Sequence, residues 1–526
     1  MPRVVTLYLS HRSWLHLIIA LLMYSACSSK FKSSTAELTV AVTGGQVAGF
    51  SESGIDRWYG IPFAAPPVGQ LRWRTPQPVL PWDSLREATS FAAGPVQHNV
   101  WGDMRYRSTN FSEDCLYLNV WAPEGERSNL PVLLYYYGGG LIAGDASETR
   151  YDGAALAREG IIVVTANYRL NVFGWLAHPE LSAESPTGTS GNYGHHDQVA
   201  ALMWVRDNIA GFGGDPSRIT IGGESAGSIS VSTLLGSPAT SGLLAGAIGQ
   251  SGASFAPLYV PLSPDSAEAV GSAFAKTVGA VTLNELRAMD ADTLYARYLR
   301  YGERLPLVVD GTVITQPLQE RYEQGAVPSV PLLVGWNSRE SGPELLMGER
   351  PMTPDAFKDA VRTRYPKHAD QLLALMPHRT ASEVEFSATA LASDEWIAQP
   401  TWAWADAHTR YTDGPVYRYH FTQPRPGEQA GAAHAAEIPY ALGNLAIHDT
   451  YAWEADDVAT SETMLGFFAN FIKTGNPNGE QLPDWTALKR GAVQQPIMRI
   501  AEESKAITVN DARYYLLRDQ FRAVNQ

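Results

Sequence analysis

A serine lies between two glycines in the pentapeptide Gly-Glu-Ser-Ala-Gly at residues 223–227. An apolar strand pattern at residues 218–222 runs directly into it, and a helical pattern, Ala226–Leu235, leaves directly after it. A strand-to-helix turn this tight exposes the serine hydroxyl at the carboxyl edge of a sheet. It also points the first amides of the helix at a bound carbonyl group. The pattern therefore predicts that Ser225 is a nucleophile for acyl transfer.

A serine hydroxyl is a weak nucleophile until a base removes its proton, so a histidine and an orienting acid are expected elsewhere in the chain. Behind an elbow of this kind, the acid and then the histidine follow the serine. The histidines beyond Ser225 are His368, His378, His408, His420, His434 and His448. His434 lies in an alanine-flanked loop after the last predicted strand, Val416–Phe421, where a base can reach over the sheet edge. We predict His434 as the base and His420 as a residue of the strand face.

Two carboxylates are candidates for the orienting acid. Glu340 follows the predicted strand at residues 331–335 after a short loop. Asp310 ends a shorter apolar run and remains the alternative. Spacing favours Glu340 without excluding Asp310.

Apolar strands alternate with helical stretches from about residue 38 onward. Strands are predicted at 130–137, 161–166, 218–222, 245–248, 331–335 and Val416–Phe421, and helices at 198–212 and Ala226–Leu235. Strands that are apolar along their whole length indicate a parallel sheet buried on both faces. We predict an α/β fold with a mostly parallel central sheet and helices on both faces. Residues 253–330 and 342–415 are predicted as cap insertions rather than separate domains, because no linker composition isolates them.

Charge and cysteine content exclude several classes of protein. The 526 residues carry a formal charge of −14, which argues against a nucleic-acid-binding surface because such a surface needs clustered positive charge. The two cysteines, Cys27 and Cys115, allow at most one disulfide. The same scarcity excludes a cysteine-rich zinc site.

The N-terminus has the pattern of an export signal. Arg3 and Arg12 precede an apolar run at residues 14–26 that is short for a membrane span but has the length of a signal-peptide core. We predict a signal peptide at 1–26, a short N-terminal linker at 27–37 and the folded domain at 38–526. The mature protein is expected to be secreted or periplasmic. Residues 26–29 also resemble a bacterial lipoprotein cleavage site, so lipidation of Cys27, and membrane contact through it, remains an alternative.

Three motifs make the sequence resemble the type-B carboxylesterases, a branch of the α/β-hydrolases that also contains cholinesterases and some fungal lipases. They are Gly60-Ile-Pro-Phe63, the segment EDCLYLNV at 113–120 and the segment FGGDPSRITIGGESAG at 212–227. The resemblance covers about residues 38–520.

The resemblance implies a function and a set of site residues. Ser225 would be the nucleophile, Glu340 the acid and His434 the base. The backbone amides of Gly139, Gly140 and Ala226 would form the oxyanion hole. The implied activity is hydrolysis of small carboxylic esters through an acyl-enzyme, with no cofactor or metal.

The sequence also departs from the family pattern. The acid loop reads Arg339-Glu340-Ser341, where relatives usually have Asp-Glu-Gly. His195 and His196 replace apolar residues, and a metal-binding role for the pair is disfavoured because neighbours in sequence do not share a face. Residues 93–98 lack the cysteine that pairs with the signature cysteine in many eukaryotic relatives, so Cys115 is expected to be a free buried thiol, with no disulfide.

The sequence is compatible with several substrate classes. The same triad can attack a carbamate, an amide or a polycarboxylate ester such as a fumonisin-like toxin. A catalytically silent, cholinesterase-like binding protein is a further alternative. Arg107, Arg150 and Arg339 are candidates to meet an anionic acyl group. No oligomeric state is assigned.

Overall fold

The computed structural model describes residues 38–524, with side chains described through residue 521. The predicted signal peptide at 1–26, the linker at 27–37 and the lipidation candidate Cys27 lie outside the described residues.

An eleven-stranded sheet forms the centre of the molecule. Its strands in chain order are β1 Phe50–Glu52, β2 Ile55–Pro62, β3 Tyr117–Pro123, β4 Leu130–Tyr136, β5 Ile162–Ala166, β6 Gly214–Glu224, β7 Gly246–Gln250, β8 Leu332–Asn337, β9 Val416–Phe421, β10 Gln494–Ile500 and β11 Lys505–Asn510. Their spatial order is β11-β10-β9-β8-β7-β6-β4-β5-β3-β2-β1. Neighbours from β5 through β10 pair in parallel, and the outer pairings at both edges are antiparallel. The predicted α/β class with a mostly parallel sheet is confirmed.

Short strands outside the central sheet form two further sheets. Thr39–Val42, Gly45–Ala48 and Arg86–Glu87 make one, and Gly94–Pro95 with Phe111–Ser112 makes the other.

Helices cover the sheet and build the insertions. The α-helices are Ala154–Arg158, Asn171–Trp175, Pro179–Glu184, Tyr193–Asn208, Ala226–Leu235, Pro264–Thr277, Leu283–Ala288, Ala291–Tyr301, Leu318–Glu323, Glu344–Met347, Pro354–Arg364, Ala369–Leu375, Ala381–Ser393, Gln399–Tyr411, Ile438–Ala441, Ala455–Thr474 and Ala512–Val524. A π-helical turn, Asp394–Ala398, joins two of them. The segments 253–330 and 342–415, which the sequence analysis predicts to be cap insertions, are mainly helical.

One helix begins earlier than its apolar pattern suggested. The predicted helix at 198–212 is Tyr193–Asn208 followed by a 3₁₀ turn, Ile209–Phe212. Its first turn buries polar side chains, including Asp197, which pairs with Arg169 at 2.7 Å. Buried polar residues hide the helical period because periodicity is read from apolar side chains.

The core is continuous between the sheet and its covering helices, and a smaller apolar cluster lies in the second insertion. That cluster includes Phe357, Leu372 and Leu391, and it is closed by Leu517 of the C-terminal helix. Contact with the C-terminal helix ties the insertion to the rest of the fold.

Cys115 is buried in the main core, with 1% of its surface exposed and no disulfide partner. Burial raises the pKa of its thiol well above the usual range, so this cysteine is a packing residue in its neutral form. No helix within residues 38–524 combines the length and apolarity needed to cross a bilayer.

Candidate active site

Ser225 lies at the turn between β6 and the helix Ala226–Leu235. Its backbone has φ 54° and ψ −118°, a conformation that non-glycine residues rarely adopt. The turn is held from both sides: the Ser225 amide donates to Gln250 O at 2.8 Å, and the Ser225 carbonyl accepts from Ile229 N at 2.9 Å. The strained strand-to-helix turn predicted from the sequence is therefore present, with Ser225 at its apex at the end of the sheet.

The two flanking glycines are required by close backbone approach. A Cβ at Gly223 would lie 2.5 Å from the carbonyl carbon of Gly227. A Cβ at Gly227 would lie 2.1 Å from the carbonyl oxygen of Tyr136 on β4. Both obstacles are backbone atoms, so no side chain can be accommodated by a rotamer change.

The structure brings Ser225, His434 and Glu340 into one hydrogen-bonded chain. His434 Nε2 lies 2.9 Å from Ser225 Oγ, and His434 Nδ1 lies 2.6 Å from Glu340 Oε2. A carboxylate only accepts, so Nδ1 carries a proton and donates it, which leaves Nε2 of the neutral ring free to accept from the serine hydroxyl. Glu340 is 2% exposed, whereas the imidazole retains access to the cavity.

The loop that carries His434 is held against the end of β8. Arg339 N donates to Ala432 O at 2.9 Å, and the Asn337 side-chain amide donates to Ala433 O at 2.7 Å. These bonds place the histidine over the edge of the sheet, where the carboxyl end of β6 presents the serine.

The alternative acid, Asp310, serves a different part of the fold. Its Oδ1 accepts from the amides of Thr312, Val313 and Ile314, and its Oδ2 accepts from the Asn192 side chain at 2.7 Å. These contacts shape a turn and are not directed at His434.

The adjacent histidines have separate surroundings. His195 Nδ1 lies 2.9 Å from Gln198 Oε1, and His196 Nε2 lies 3.6 Å from Asp310 Oδ2. Within residues 38–524, no three His, Cys, Asp or Glu side chains come together as potential metal ligands. His420 is part of β9.

Glu340 has a second set of donors that the sequence did not reveal. Its Oε1 accepts from Ser251 Oγ and from Asn337 N, each at 2.6 Å. Ser251 follows β7 directly, beside the nucleophile strand, and position at a strand end is the only sequence signal that could have found it. The two donors fix the carboxylate so that its other oxygen faces His434.

Glu224 is a further site residue that the sequence does not reveal, although it immediately precedes Ser225. Its carboxylate Oε1 lies 3.3 Å from His434 Nε2, and the residue is 2% exposed. Burial raises the pKa of Glu224 to about 8 against the opposing effect of His434. Burial by itself lowers the pKa of His434, but the carboxylates of Glu224 and Glu340 outweigh it and raise that pKa to about 9.

We expect Glu224→Gln to move the acidic limb of the pH profile to lower pH. A base must be neutral to accept the serine proton. Near the pKa of His434, about 9, Glu224 with its pKa of about 8 is mostly ionised, and its negative charge stabilises the protonated imidazole. Removing that charge lowers the pKa of His434, so the neutral base persists to lower pH, by about 1 to 2 pH units. The measurement is kcat/KM against pH for a neutral ester, with Glu349→Gln, an exposed acid, as the control. An acidic limb in Glu224→Gln that coincides with the parent's would contradict this role.

The predicted oxyanion donors lie in the same cavity as Ser225. Gly139 and Gly140 follow β4 with φ values of +111° and +61°, and both line the cavity. Their amides donate to no acceptor within residues 38–524. Ala226 opens the helix after Ser225, where the first amides have no partner inside the helix.

The cavity over Ser225 has a volume of about 370 Å³. Both predicted cap insertions contribute to its wall: Tyr259 and Arg304 come from the first, and Trp396 from the second. The Trp396 ring centroid lies 4.6 Å from that of His434. These two segments therefore shape the space next to Ser225 and His434.

Two of the three arginines that the sequence offers as partners for an anionic acyl group lie in the cavity wall. Arg150 and Arg339 line the cavity, whereas Arg107 does not and pairs with Asp152 at 2.6 Å. Arg150 is 2% exposed and forms ion pairs with Glu148 and Asp103. Arg304, which the sequence reasoning passed over, is a further cavity residue.

Known proteins resemble this chain in sequence and in fold. Residues 36–516 match the carboxylesterase family. The chain is 34% identical to para-nitrobenzyl esterase of Bacillus subtilis, over 84% of this chain and 91% of that protein. It is 33% identical to fumonisin B1 esterase of Sphingopyxis macrogoltabida, over 84% and 82% respectively. A solved structure of PNB esterase superposes with a TM-score of 0.77 at 31% identity, covering 92% of this chain and 99% of that one.

Proposed function

The chain belongs to the carboxylesterase family and is a carboxylic ester hydrolase, and on this premise we propose that it acts through a Ser225–His434–Glu340 triad. The observation that carries the proposal is the pair of hydrogen bonds from His434, at 2.9 Å to Ser225 Oγ and 2.6 Å to Glu340 Oε2. A serine, a base within reach and a buried acid behind the base are the three parts that acyl transfer requires.

In the first half-reaction, Ser225 Oγ attacks the ester carbonyl while His434 Nε2 takes its proton. Glu340 holds the ring by Nδ1 and stabilises the imidazolium that forms. The amides of Gly139, Gly140 and Ala226 are available to the oxyanion, and each such donor typically lowers the barrier by about 3 kcal/mol. His434 then gives the proton to the leaving alcohol, and the acyl group stays on Ser225.

In the second half-reaction, a water molecule takes the place of the alcohol. His434 accepts a proton from the water as it attacks the acyl-enzyme, and returns a proton to Ser225 Oγ when the acid leaves. Each step moves a proton between this chain and the substrate or water. We assign the substrate as a small-molecule ester.

Compounds with other acyl bonds are alternatives to a simple ester as the main substrate. A carbamate, an amide or a polycarboxylate ester would meet the same nucleophile and the same donors. The intact hydrogen-bonded chain disfavours a silent binding protein, since such a protein has no need of a histidine aligned with both partners.

The experiment that tests the proposal is titration with diethyl p-nitrophenyl phosphate. A serine activated by the triad should displace p-nitrophenolate once per chain and keep the diethyl phosphoryl group, because the adduct is hydrolysed slowly. Peptide mass spectrometry should then place that group on Ser225. Denatured protein is the control and should release nothing rapidly. Stoichiometric labelling of a different residue in the native enzyme would contradict the assignment.

A further inference from the structure

Most charged groups around the catalytic cavity already have a partner. Asp103 lies 3.2 Å from Arg150 and 3.4 Å from Arg425, and Glu340 is held by His434. The third carboxylate of the wall, Glu224, is buried 3.3 Å from His434 Nε2, so each carboxylate that lines the cavity has an arginine or the imidazole beside it.

Arg304 is different: it is an exposed residue that lines the cavity, and none of the ion pairs among residues 38–524 involves its guanidinium. It donates a hydrogen bond to the Tyr259 hydroxyl and lies 5.9 Å from the centroid of that ring. Its Nη2 is 3.1 Å from the position that a Cβ at Gly140 would take. The charge thus lies directly against the glycine loop whose amides we propose as oxyanion donors.

Arg339 is the second cationic side chain of the wall that has no ion pair within the described part of the chain. It immediately precedes Glu340, and its backbone is fixed to the His434 loop at Ala432 and Ala433. Its side chain is half-buried and lines the cavity. The backbone contacts fix the main chain at Arg339, and no ion pair among the described residues engages its guanidinium, which is therefore available to a ligand.

The two positively charged guanidinium groups lie in a protein whose net charge is negative. A chain of formal charge −14 repels anions in general. Three arginines and three carboxylates line the catalytic cavity, so with a neutral His434 its wall has no net formal charge, unlike the protein as a whole. Guanidinium presents its N–H groups in a planar fork that matches a carboxylate, which makes arginine the usual partner of that group.

We propose that the cavity selects an ester that carries a free carboxylate, such as a partial ester of a di- or polycarboxylic acid, with Arg304 and Arg339 holding that carboxylate. The proposal rests on the proposed function, since it names the substrate class of the same site. The carboxylate could belong to the acyl or the alcohol part of the ester, and the experiment separates the two.

The test uses two pairs of matched esters. For the acyl side, mono-p-nitrophenyl adipate is compared with p-nitrophenyl hexanoate, which has the same acyl length and leaving group. For the alcohol side, 4-carboxyphenyl hexanoate is compared with 4-carbamoylphenyl hexanoate. In each pair the preference is the ratio of kcat/KM for the anionic ester to kcat/KM for the neutral one.

We expect the native enzyme to prefer the anionic member of one pair. Arg304→Gln and Arg339→Gln should each lower that preference by about tenfold, and the double variant should lower it further. Arg300→Gln removes an exposed arginine of the same insertion that lies outside the cavity, and it should keep the native preference. Added salt should also reduce the preference, because it screens charges at a solvent-accessible site.

The pair that shows the arginine-dependent preference identifies the side of the ester that carries the carboxylate. A native enzyme with no anionic preference in either pair would overturn the inference, as would a preference that survives in the double variant. Both results leave the triad intact as long as hydrolysis of the neutral esters still requires Ser225. Neutral-ester hydrolysis that persists in Ser225→Ala would instead refute the proposed function.

Discussion

Ser225→Ala is expected to lower kcat/KM for p-nitrophenyl hexanoate by about 10⁵- to 10⁶-fold. The substitution removes the atom that attacks the carbonyl and leaves His434 with no hydroxyl to deprotonate. The residual rate would come from the oxyanion donors and from binding alone, because neither depends on the serine side chain. The acyl-enzyme should be absent from acid-quenched samples of the variant.

The variant should fold as the parent does, since the backbone of residue 225 is held by bonds from its amide and its carbonyl. Thermal unfolding and circular dichroism of the two proteins provide that check. Ser241→Ala, at an exposed serine outside the cavity, is the matched control and should retain full activity. Turnover in Ser225→Ala within tenfold of the parent would eliminate the acyl-enzyme mechanism.

Glu340→Gln is expected to lower kcat by about 10⁴-fold while changing KM little. Ser251 Oγ and Asn337 N both donate to Oε1, so the glutamine carbonyl oxygen will take that position. Its NH₂ group must then face His434 Nδ1, which can only accept. The imidazole proton moves to Nε2, and that tautomer cannot take the proton of Ser225.

Asp310→Asn is the matched control because Asp310 is the other acid that the sequence allows. Its carboxylate supports the turn at 310–314, so the variant should lose stability without a comparable loss of kcat per folded molecule. Comparing kcat after correction for the folded fraction separates the two acids. A kcat loss in Asp310→Asn as large as the one expected for Glu340→Gln would contradict the assignment of Glu340 as the acid of the triad.

Much of the fold could be predicted because its elements are encoded locally. The helix Ala226–Leu235 and the strand Val416–Phe421 have the predicted bounds, and the strands on either side of the elbow lie where apolar runs occur. Such apolar runs are short and continuous, so they can be recognised directly in the amino-acid sequence. The helix at Tyr193 was placed too late because its first turn buries polar residues, and their burial depends on partners far away in the sequence.

Part of the candidate site could be predicted because some of its residues belong to patterns that are local in the sequence. Ser225 was identified from contiguous residues, and His434 and Glu340 from their places after strands together with the family resemblance. Their catalytic roles remain predictions, whereas their positions relative to one another are now defined. Glu224, Ser251 and Arg304 escaped notice because nothing in their local sequence distinguishes them from ordinary polar residues.

The sequence by itself determined the α/β class, the nucleophile elbow and the order of the candidate triad. Only the tertiary structure shows that Glu340, and not Asp310, lies against His434, because that contact joins residues 94 positions apart in the chain. The contact between Ser225 and His434 joins residues 209 positions apart. The tertiary structure also shows that two arginines in the wall of the cavity form no ion pair with any residue from 38 to 524. A local pattern specifies which element forms, but the partner of a charged side chain is set by where the folded sheet edge and the cap bring distant segments together.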